Sequence, residues 1–234
     1  MARPRLFKKR TRPDPGTLSY SQCGEDLICD FLLQHILGIK EPYYLDIGAH
    51  SPINRNNTYL FYARGLSGVL VEPNPDACLK LRKVRPRDKV ITAGVSDHSG
   101  SAAYYRMDAD TLNTFSAADK QRYIEQGHKL VSEETIELLS APELLSKHCE
   151  RCPDFVSIDV EGLEMPILES WDFDAERPPV FCIETLEYAL DTTGRKRMDI
   201  IEFVVGKGYR VYADTYINTV FFDAARWPGK GILG

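Results

Sequence analysis

Short apolar runs alternate along the chain with longer segments whose apolar residues recur every three to four positions. The runs have the length of β-strands, and the longer segments have the spacing of amphipathic helices. Strands are predicted at residues 43–47, 68–71, 90–95, 155–160, 180–183, 209–212 and 219–222. Helices are predicted at residues 19–37, 58–64, 76–84, 142–147, 165–170 and 196–207.

Nearly continuous apolar strands that alternate with helices are typical of a mostly parallel sheet covered by helices on both faces. The last two runs are close enough in sequence to pair as an antiparallel hairpin. We therefore predict an α/β fold with a mostly parallel seven-stranded sheet and an antiparallel C-terminal hairpin. Residues 17–234 form a single domain in this interpretation, because a chain of 234 residues suits one α/β domain.

Two segments depart from this alternation. Residues 1–16 carry six basic residues and three prolines, with no acid before Asp14, which predicts a flexible basic tail. Residues 105–140 are long for a connection within a compact domain, and they include a polar helical stretch. This second segment predicts an insertion that serves as a lid or a substrate-binding loop.

The overall composition bounds the class of protein. Hydrophobic residues make up 43% and charged residues 27%, which is enough to bury a core. The net charge of -5 gives no general attraction to nucleic acid, so no nucleic-acid partner is expected. The chain has no apolar run of the roughly 20 residues that a membrane span needs, and no apolar segment follows its basic N-terminus. We therefore expect a cytoplasmic protein without a membrane span.

The six cysteines are scattered along the sequence, and reduced thiols that pack as small apolar side chains are the expected state. Cys149 and Cys152 form one CxxC pair. A structural zinc site needs four ligands, and the sequence has no second pair. A zinc site is therefore not expected.

Acidic residues recur at the ends of the predicted strands, and this placement is the main functional signal in the sequence. Right-handed crossovers bring the carboxyl ends of parallel strands to one edge of the sheet, where α/β proteins bind ligands. The acids in these positions are Asp46, Glu72, Asp97, Asp159, Glu161 and Glu184.

The first two strand ends indicate the ligand. The turn at residues 45–50 reads LDIGAH, with one glycine, whereas a dinucleotide site needs a GxGxxG loop for the pyrophosphate. Gly48 lets a ligand approach the backbone, and Asp46 suits a ligand amine. Glu72 ends the second strand, where a carboxylate can accept bonds from both ribose hydroxyls. Together these residues favour an adenosine-type ligand with a charged amino-acid end, namely S-adenosylmethionine.

Six sequence elements in order resemble the FkbM-type methyltransferases, over residues 20–222. They are SQCGED at 21–26, LDIGAH at 45–50, NNT at 56–58 (where Asn56 replaces the usual Ser), VEPNP at 71–75, DVEG at 159–162 followed by Glu164, and Ile183-Glu184. The resemblance implies a Rossmann-like class I methyltransferase fold, S-adenosylmethionine as donor and, usually, O-methylation of a hydroxyl. The acceptors it implies are sugars, glycans or secondary metabolites.

The resemblance also implies roles for individual residues. Those implied to hold the methionine end and the ribose are Asp46, Gly48, Ala49 and Glu72, with Asn74 assisting. Ser96 and Asp97 are implied to lie near the adenine, and Asn57 and Thr58 to hold the helix that closes the pocket.

An alcohol acceptor has to lose a proton, which requires a base or a metal ion. The candidates for this role are His50, Asp159, Glu161 and Glu184. Asp159 and Glu161 are two positions apart at a strand end, so their side chains face the same side if the strand continues. Such a pair either binds a divalent cation or raises the pKa of one member so that it serves as a base. The alternative is that Asp159 caps a helix and Glu161 pairs with a basic residue.

Two rival functions remain open. A nicotinamide-dependent oxidoreductase would use the same fold, but the missing GxGxxG motif argues against it. A non-catalytic binding protein would keep the fold without turnover, and the acids at residues 46, 72, 159 and 161 argue against that reading. The leading hypothesis is a methyltransferase that modifies a hydroxyl of a small-molecule or glycan acceptor.

Overall fold

A computed structural model describes residues 16–160, 162–187 and 194–229. Residues 1–15 of the predicted basic tail lie outside the described residues. The strands are β1 (Tyr44–Ile47), β2 (Gly68–Val71), β3 (Lys89–Ile91), β4 (Gly94–Ser96), β5 (Gly100–Met107), β6 (Leu130–Ser140), β7 (Phe155–Ile158), β8 (Val180–Glu184), β9 (Tyr209–Asp214) and β10 (Asn218–Asp223). The helices are α1 (Glu25–Phe31), α2 (Tyr59–Ala63), α3 (Pro75–Val84), α4 (Ala117–Glu125), α5 (Ala141–His148), α6 (Glu164–Ser170) and α7 (Met198–Gly206).

The main sheet has seven strands in the order β3-β2-β1-β7-β8-β10-β9. The first five of these pair in parallel, whereas β10 is antiparallel to both β8 and β9. This arrangement confirms the predicted sheet and its C-terminal hairpin. The parallel strands place the ends of β1, β2, β3 and β7 side by side at one edge.

Helices cover both faces of the main sheet, as the apolar strands predict. Alternate residues of each strand point to opposite faces, so Leu45 and Ile47 of β1 pack with α5, α6 and α7. Tyr44 packs on the other face with α1, α2 and α3. In the described part of the chain, no helix is long and apolar enough to cross a membrane.

A second, three-stranded sheet in the order β4-β6-β5 was not predicted. The expected strand at residues 90–95 is split, since β3 belongs to the main sheet and β4 pairs with β6 instead. The segment 105–140 contains the end of β5, helix α4 and strand β6. This segment is therefore largely regular structure, and the polar stretch in it forms the expected helix.

The first helix begins later than the predicted residue 19. The carboxylate of Asp26 accepts hydrogen bonds from the Ser19 hydroxyl, at 2.6 Å, and from the Tyr20 amide, at 2.7 Å. These bonds fold residues 19–23 back over the helix start as a loop. Gly24, with a φ of 92°, occupies the left-handed region directly before α1. A turn of π-helix at Leu32–Ile36 continues α1 to the expected end of the helix.

Candidate functional site

A cavity of about 430 Å³ opens where the carboxyl ends of the central strands meet. Its volume lies in the range of about 300–1,000 Å³ that is typical of small-molecule sites. One wall comes from the sheet edge and includes Ile47, Gly48, Val71, Glu72, Ala93, Gly94, Val95 and Asp159. The facing wall comes from the second sheet and the segment after β5, and includes Tyr104, Asp110, Asn113, Thr114, Phe115 and Asp119.

The turn after β1 forms the floor of this cavity, and it requires a glycine. Gly48 has a φ of 87°, and a Cβ at this position would lie 1.7 Å from the carbonyl oxygen of Asp159. The amide of Gly48 also donates to the carbonyl of Val71 at 2.9 Å. The turn is thus held directly against the end of β7 on one side and the end of β2 on the other. Gly48 also lines the cavity, so no side chain stands between its backbone and a ligand.

Glu72 lies in the cavity wall at the end of β2, and its residue surface is only 4% exposed. The amide of Asn74 donates to one carboxylate oxygen at 2.8 Å, and the amide of His50 donates to the other at 2.9 Å. Burial raises the pKa of Glu72 to about 7, although these two hydrogen bonds oppose the shift. Each carboxylate oxygen has a second lone pair, so Glu72 can accept two further bonds from a ligand.

Asp46 lies on β1 before the turn and is not among the residues of the described cavity wall. Its carboxylate accepts from the Thr58 hydroxyl at 2.7 Å and from the Asn56 amide at 3.0 Å. Burial raises its pKa, and the nearby charge of Arg85 opposes this shift. On β1, Asp46 shares the sheet face of Tyr44, which explains why it points into the protein. These contacts hold Asp46 in place, and its predicted contact with a ligand amine stays a prediction.

Arg85 is the centre of a buried hydrogen-bond network behind the cavity, and it is 0% exposed. Its guanidinium donates to Asp88 at 2.6 Å, to Asn56 at 2.9 Å and to Thr58 at 2.9 Å. Asp88 in turn accepts from the Tyr44 hydroxyl at 2.7 Å. The network joins the end of α3 to residues 56–58 and to the start of β1, so it fixes the position of the turn above it.

The other residues expected to bind the cofactor also lie outside this cavity wall. Asn57 donates to the Ser157 hydroxyl at 3.1 Å, and Asn74 caps α3 by accepting from the amide of Asp76. Ala49 is buried, and the hydroxyl of Ser96 donates to the carboxylate of Asp97. The chain enters the second sheet at Gly94, so the cavity meets residues 93–95 and not the expected Ser96 and Asp97.

Asp159 lies in the cavity wall next to Gly48, at the end of β7. Burial and the charge of Glu164 raise the pKa of Asp159 to about 6, while a hydrogen bond with Glu184 opposes the shift. The side chain of Glu184 thus contacts that of Asp159, and Glu184 itself is not among the residues that line the described cavity. Glu161 lies outside the described residues.

His50 lines the cavity, is an exposed residue and has a φ of 39°. The protein around the ring lowers the pKa of the imidazole by removing water, which favours its neutral form. A neutral imidazole can accept a proton, and the geometry keeps His50 among the candidate bases.

The predicted divalent metal has no complete ligand set within residues 16–160, 162–187 and 194–229, where no three His, Cys, Asp or Glu side chains are clustered suitably. One member of the predicted metal pair, Glu161, is outside these ranges. The metal site stays a prediction.

The charges around the cavity favour a ligand with positive charge. Four acids of the described lining, Glu72, Asp110, Asp119 and Asp159, face one arginine, Arg55. Clefts lined mainly by one sign of charge attract ligands of the opposite sign. A sulfonium and an ammonium group meet this requirement, whereas a pyrophosphate does not.

Several residues of the cavity wall were not singled out from the sequence. Gln22 belongs to the SQCGED element, so the resemblance already contained a signal for it. Phe115 is one of two large apolar residues in the polar stretch 108–119. A large apolar side chain in such a stretch is expected to pack against another part of the protein. Asp110 lies in the segment 105–140, for which the sequence predicts a lid or a substrate-binding loop. Tyr104 and Arg55 carry no such signal, because only the second sheet and the turn bring them to the cavity.

Solved structures of several methyltransferases are similar to this chain. The O-methyltransferase from Bacillus cereus, in complex with SAH, is 16% identical, with 87% of this chain and 81% of that chain covered and a TM-score of 0.41. The TehB-like SAM-dependent methyltransferase from Corynebacterium glutamicum is 9% identical, with coverages of 86% and 87% and a TM-score of 0.43. The precorrin-6y C5,15-methyltransferase from Geobacter metallireducens is 14% identical, with coverages of 78% and 79% and a TM-score of 0.41.

No curated protein matches the sequence. A sequence model described as the methyltransferase FkbM domain matches residues 46–211, which is more than half of the chain. The matched region contains the ends of β1, β2 and β7 that form the cavity, with Gly48, Glu72 and Asp159. The chain therefore belongs to the FkbM family of S-adenosylmethionine-dependent methyltransferases.

Proposed function

We propose that the protein is an O-methyltransferase that transfers a methyl group from S-adenosylmethionine to a hydroxyl of a sugar, a glycan or a secondary metabolite. The observation that carries this proposal is the position of Asp159. It is a carboxylate with a pKa of about 6 in the wall of the cavity, directly beside the turn that contains Gly48.

The residues of the cavity fit the donor. Glu72 has lone pairs free for the two ribose hydroxyls, and the bare backbone at Gly48 allows the amino-acid end to approach closely. When bound, S-adenosylmethionine supplies an activated methyl group on a positively charged sulfur. The excess of acids in the lining is suited to that charge.

Asp159 is suited to take the proton that the acceptor hydroxyl loses. Its pKa of about 6 means that the carboxylate is ionised at pH 7, yet is more basic than an exposed aspartate. General bases work best when their pKa lies near the working pH. Glu184, whose side chain is hydrogen-bonded to that of Asp159, orients the carboxylate and is a positioning residue in this scheme.

The wall opposite the sheet is suited to an acceptor with many hydroxyls. It presents the polar side chains of Thr111, Asn113, Thr114 and Ser116, together with Asp110 and Asp119. Hydroxyl, amide and carboxylate groups of this kind can pair with the donors and acceptors of a sugar. Arg55 is the sole arginine or lysine in the described lining, which disfavours acceptors with several negative charges.

A test compares the wild-type protein with Asp159→Asn. Methyl transfer from labelled S-adenosylmethionine is measured against a panel of monosaccharides, oligosaccharides and small alcohols. We expect the variant to bind S-adenosylmethionine as the wild type does, and to lose about 10²–10⁴-fold in kcat, since that is the usual contribution of a general base. The wild-type kcat should rise with pH through the pKa of Asp159, about 6, and this rise should be absent from the variant.

Asp174→Asn serves as the matched control, because Asp174 is an exposed acid outside the described cavity wall. It should leave kcat and its pH profile unchanged. Wild-type-like turnover by Asp159→Asn would remove Asp159 from the role of base. Transfer by the wild type to amines or carbon acceptors, with none to hydroxyls, would contradict the proposed O-methylation.

A further inference from the structure

The wall contributed by the second sheet contains an aromatic pair whose role the proposed reaction leaves unassigned. The rings of Tyr104 and Phe115 have centroids 4.8 Å apart, at an interplanar angle of 49°. Both residues line the cavity. Tyr104 lies on β5, and Phe115 lies between that strand and α4, so neither belongs to the main sheet.

The Phe115 ring is held firmly in its position. It packs against the backbone of Gly94, where a Cβ would lie 2.6 Å from the end of the ring. On one side, Thr114 exchanges backbone hydrogen bonds with Tyr105 at 2.8 and 3.0 Å. On the other side, Ser116 caps α4 by accepting from the amide of Asp119. Because the residues on both sides of Phe115 are held by hydrogen bonds, its ring offers a preformed surface to a ligand.

The order of the strands determines which part of the ligand meets this ring. The ends of β1, β2 and β3 lie next to one another, and neighbouring strands are about 4.8 Å apart. Gly48 follows β1, Glu72 follows β2, and residues 93–95 follow β3. A ligand whose ribose is bound by Glu72 therefore extends towards Gly48 in one direction and towards residues 93–95 in the other.

The two ends of this path differ in chemistry. The end near Gly48 offers backbone without a side chain, which leaves room for the amino-acid part of the donor. The end beyond Glu72 carries Ala93 and Val95, with Phe115 packed on Gly94 between them. Apolar side chains and a fixed aromatic face suit a flat, uncharged base, because every base has a π-face that can stack on a ring.

We propose that Phe115, supported by Tyr104, forms the wall that binds the adenine of the donor, so that the second sheet completes the cofactor site. This inference rests on the proposed function, since it takes the ribose position from Glu72. It assigns a binding role to the segment 105–140, for which the sequence predicted a lid or a substrate loop.

The test is isothermal titration of the purified protein with S-adenosylhomocysteine, for the wild type and for Phe115→Leu. Stacking on an aromatic side chain contributes enough that its loss should weaken binding by about tenfold. Tyr105→Leu is the matched control: it removes a ring from the same strand, but the Tyr105 ring packs beneath Lys120 outside the described cavity wall. This control should bind as the wild type does.

A second variant, Phe115→Trp, keeps an aromatic face and reports on it. Its binding should stay close to that of the wild type. Its additional fluorescence, after subtraction of the signal from Trp171 and Trp227, should be quenched when S-adenosylhomocysteine is added. This fluorescence measurement still tests the role of the ring if Phe115→Leu proves poorly folded.

The outcomes separate the two proposals. A wild type that binds no S-adenosylhomocysteine contradicts the proposed function itself. A wild type that binds, with equal affinity in Phe115→Leu and no quenching in Phe115→Trp, contradicts only the adenine wall. An unchanged affinity together with a raised KM for the acceptor would assign the ring to the acceptor instead, and would also overturn the inference.

Discussion

We expect Glu72 to make the affinity for the donor depend on pH, and the direction of this dependence follows from its surroundings. Burial raises the pKa of its carboxyl from the usual 4.5 to about 7. The protonated carboxyl cannot accept bonds from both ribose hydroxyls, because one of its oxygens then carries a hydrogen. Binding of the donor should therefore strengthen as the pH rises through 7.

The magnitude follows from the fraction of Glu72 that is ionised. With a pKa of about 7, this fraction is about 0.9 at pH 8 and about 0.1 at pH 6. Apparent affinity scales with the fraction of the protein in the binding-competent form, so the Kd should rise about tenfold between pH 8 and pH 6. Above pH 8 the affinity should level off.

The assay is calorimetric titration with S-adenosylhomocysteine at a series of pH values, for the wild type and Glu72→Gln. The variant should bind more weakly at pH 8 and should lose the dependence on pH, since its amide does not titrate. Asp159→Asn should keep the slope, which excludes Asp159 as its source. A Kd that is constant from pH 6 to 8, or the same slope in Glu72→Gln, would refute the role given to Glu72.

Two further substitutions test the structure around the turn. Gly48→Ala should abolish donor binding, because its Cβ would overlap the carbonyl of Asp159. Gly127→Ala carries the same backbone strain with nothing within 4 Å, so it should cost only about 1–2 kcal/mol of stability without affecting binding. Equal binding in both variants, measured by calorimetry, would contradict the close contact. Arg85→Met should lower the free energy of unfolding by about 3–5 kcal/mol in urea denaturation, since it leaves the buried carboxylate of Asp88 unpaired. The matched substitution of an exposed arginine, Arg82→Met, should change it by less than about 0.5 kcal/mol. A small loss for Arg85→Met would contradict the buried network.

The main sheet could be predicted because its strands are buried on both faces and therefore appear as continuous apolar runs. Strands β5 and β6 were missed for the opposite reason. Much of β6 is exposed, and it carries Glu133, Glu134 and Glu137 within a run of polar residues. Exposed strands of this kind lack the apolar signal that identifies a core strand. Their pairing depends on contacts between distant parts of the chain.

The strand-end acids show where sequence reasoning about the site succeeds and where it stops. Glu72 follows its strand directly and reaches the cavity, as the spacing predicts. Asp46 lies within β1, one residue before its end, where the alternation of side chains along the strand decides which face its side chain points to. Its neighbour Tyr44 is buried among the helices of the opposite face, so Asp46 points there too.

Arg85 is the residue that the sequence hides most completely. It lies in the stretch 85–89, RPRDK, whose composition indicates an exposed loop. Burial of this side chain is possible only because Asp88, Asn56, Thr58 and Tyr44 converge on it from three separate segments. Such convergence is a property of the folded chain and leaves no local pattern.

The most direct test of the account is the crystal structure of the protein with S-adenosylhomocysteine. We expect the ribose hydroxyls within hydrogen-bond distance of Glu72, the amino-acid end beside Gly48 and the base against Phe115. A ligand that lies away from Glu72, or one that is turned end for end along the sheet edge, would contradict the account.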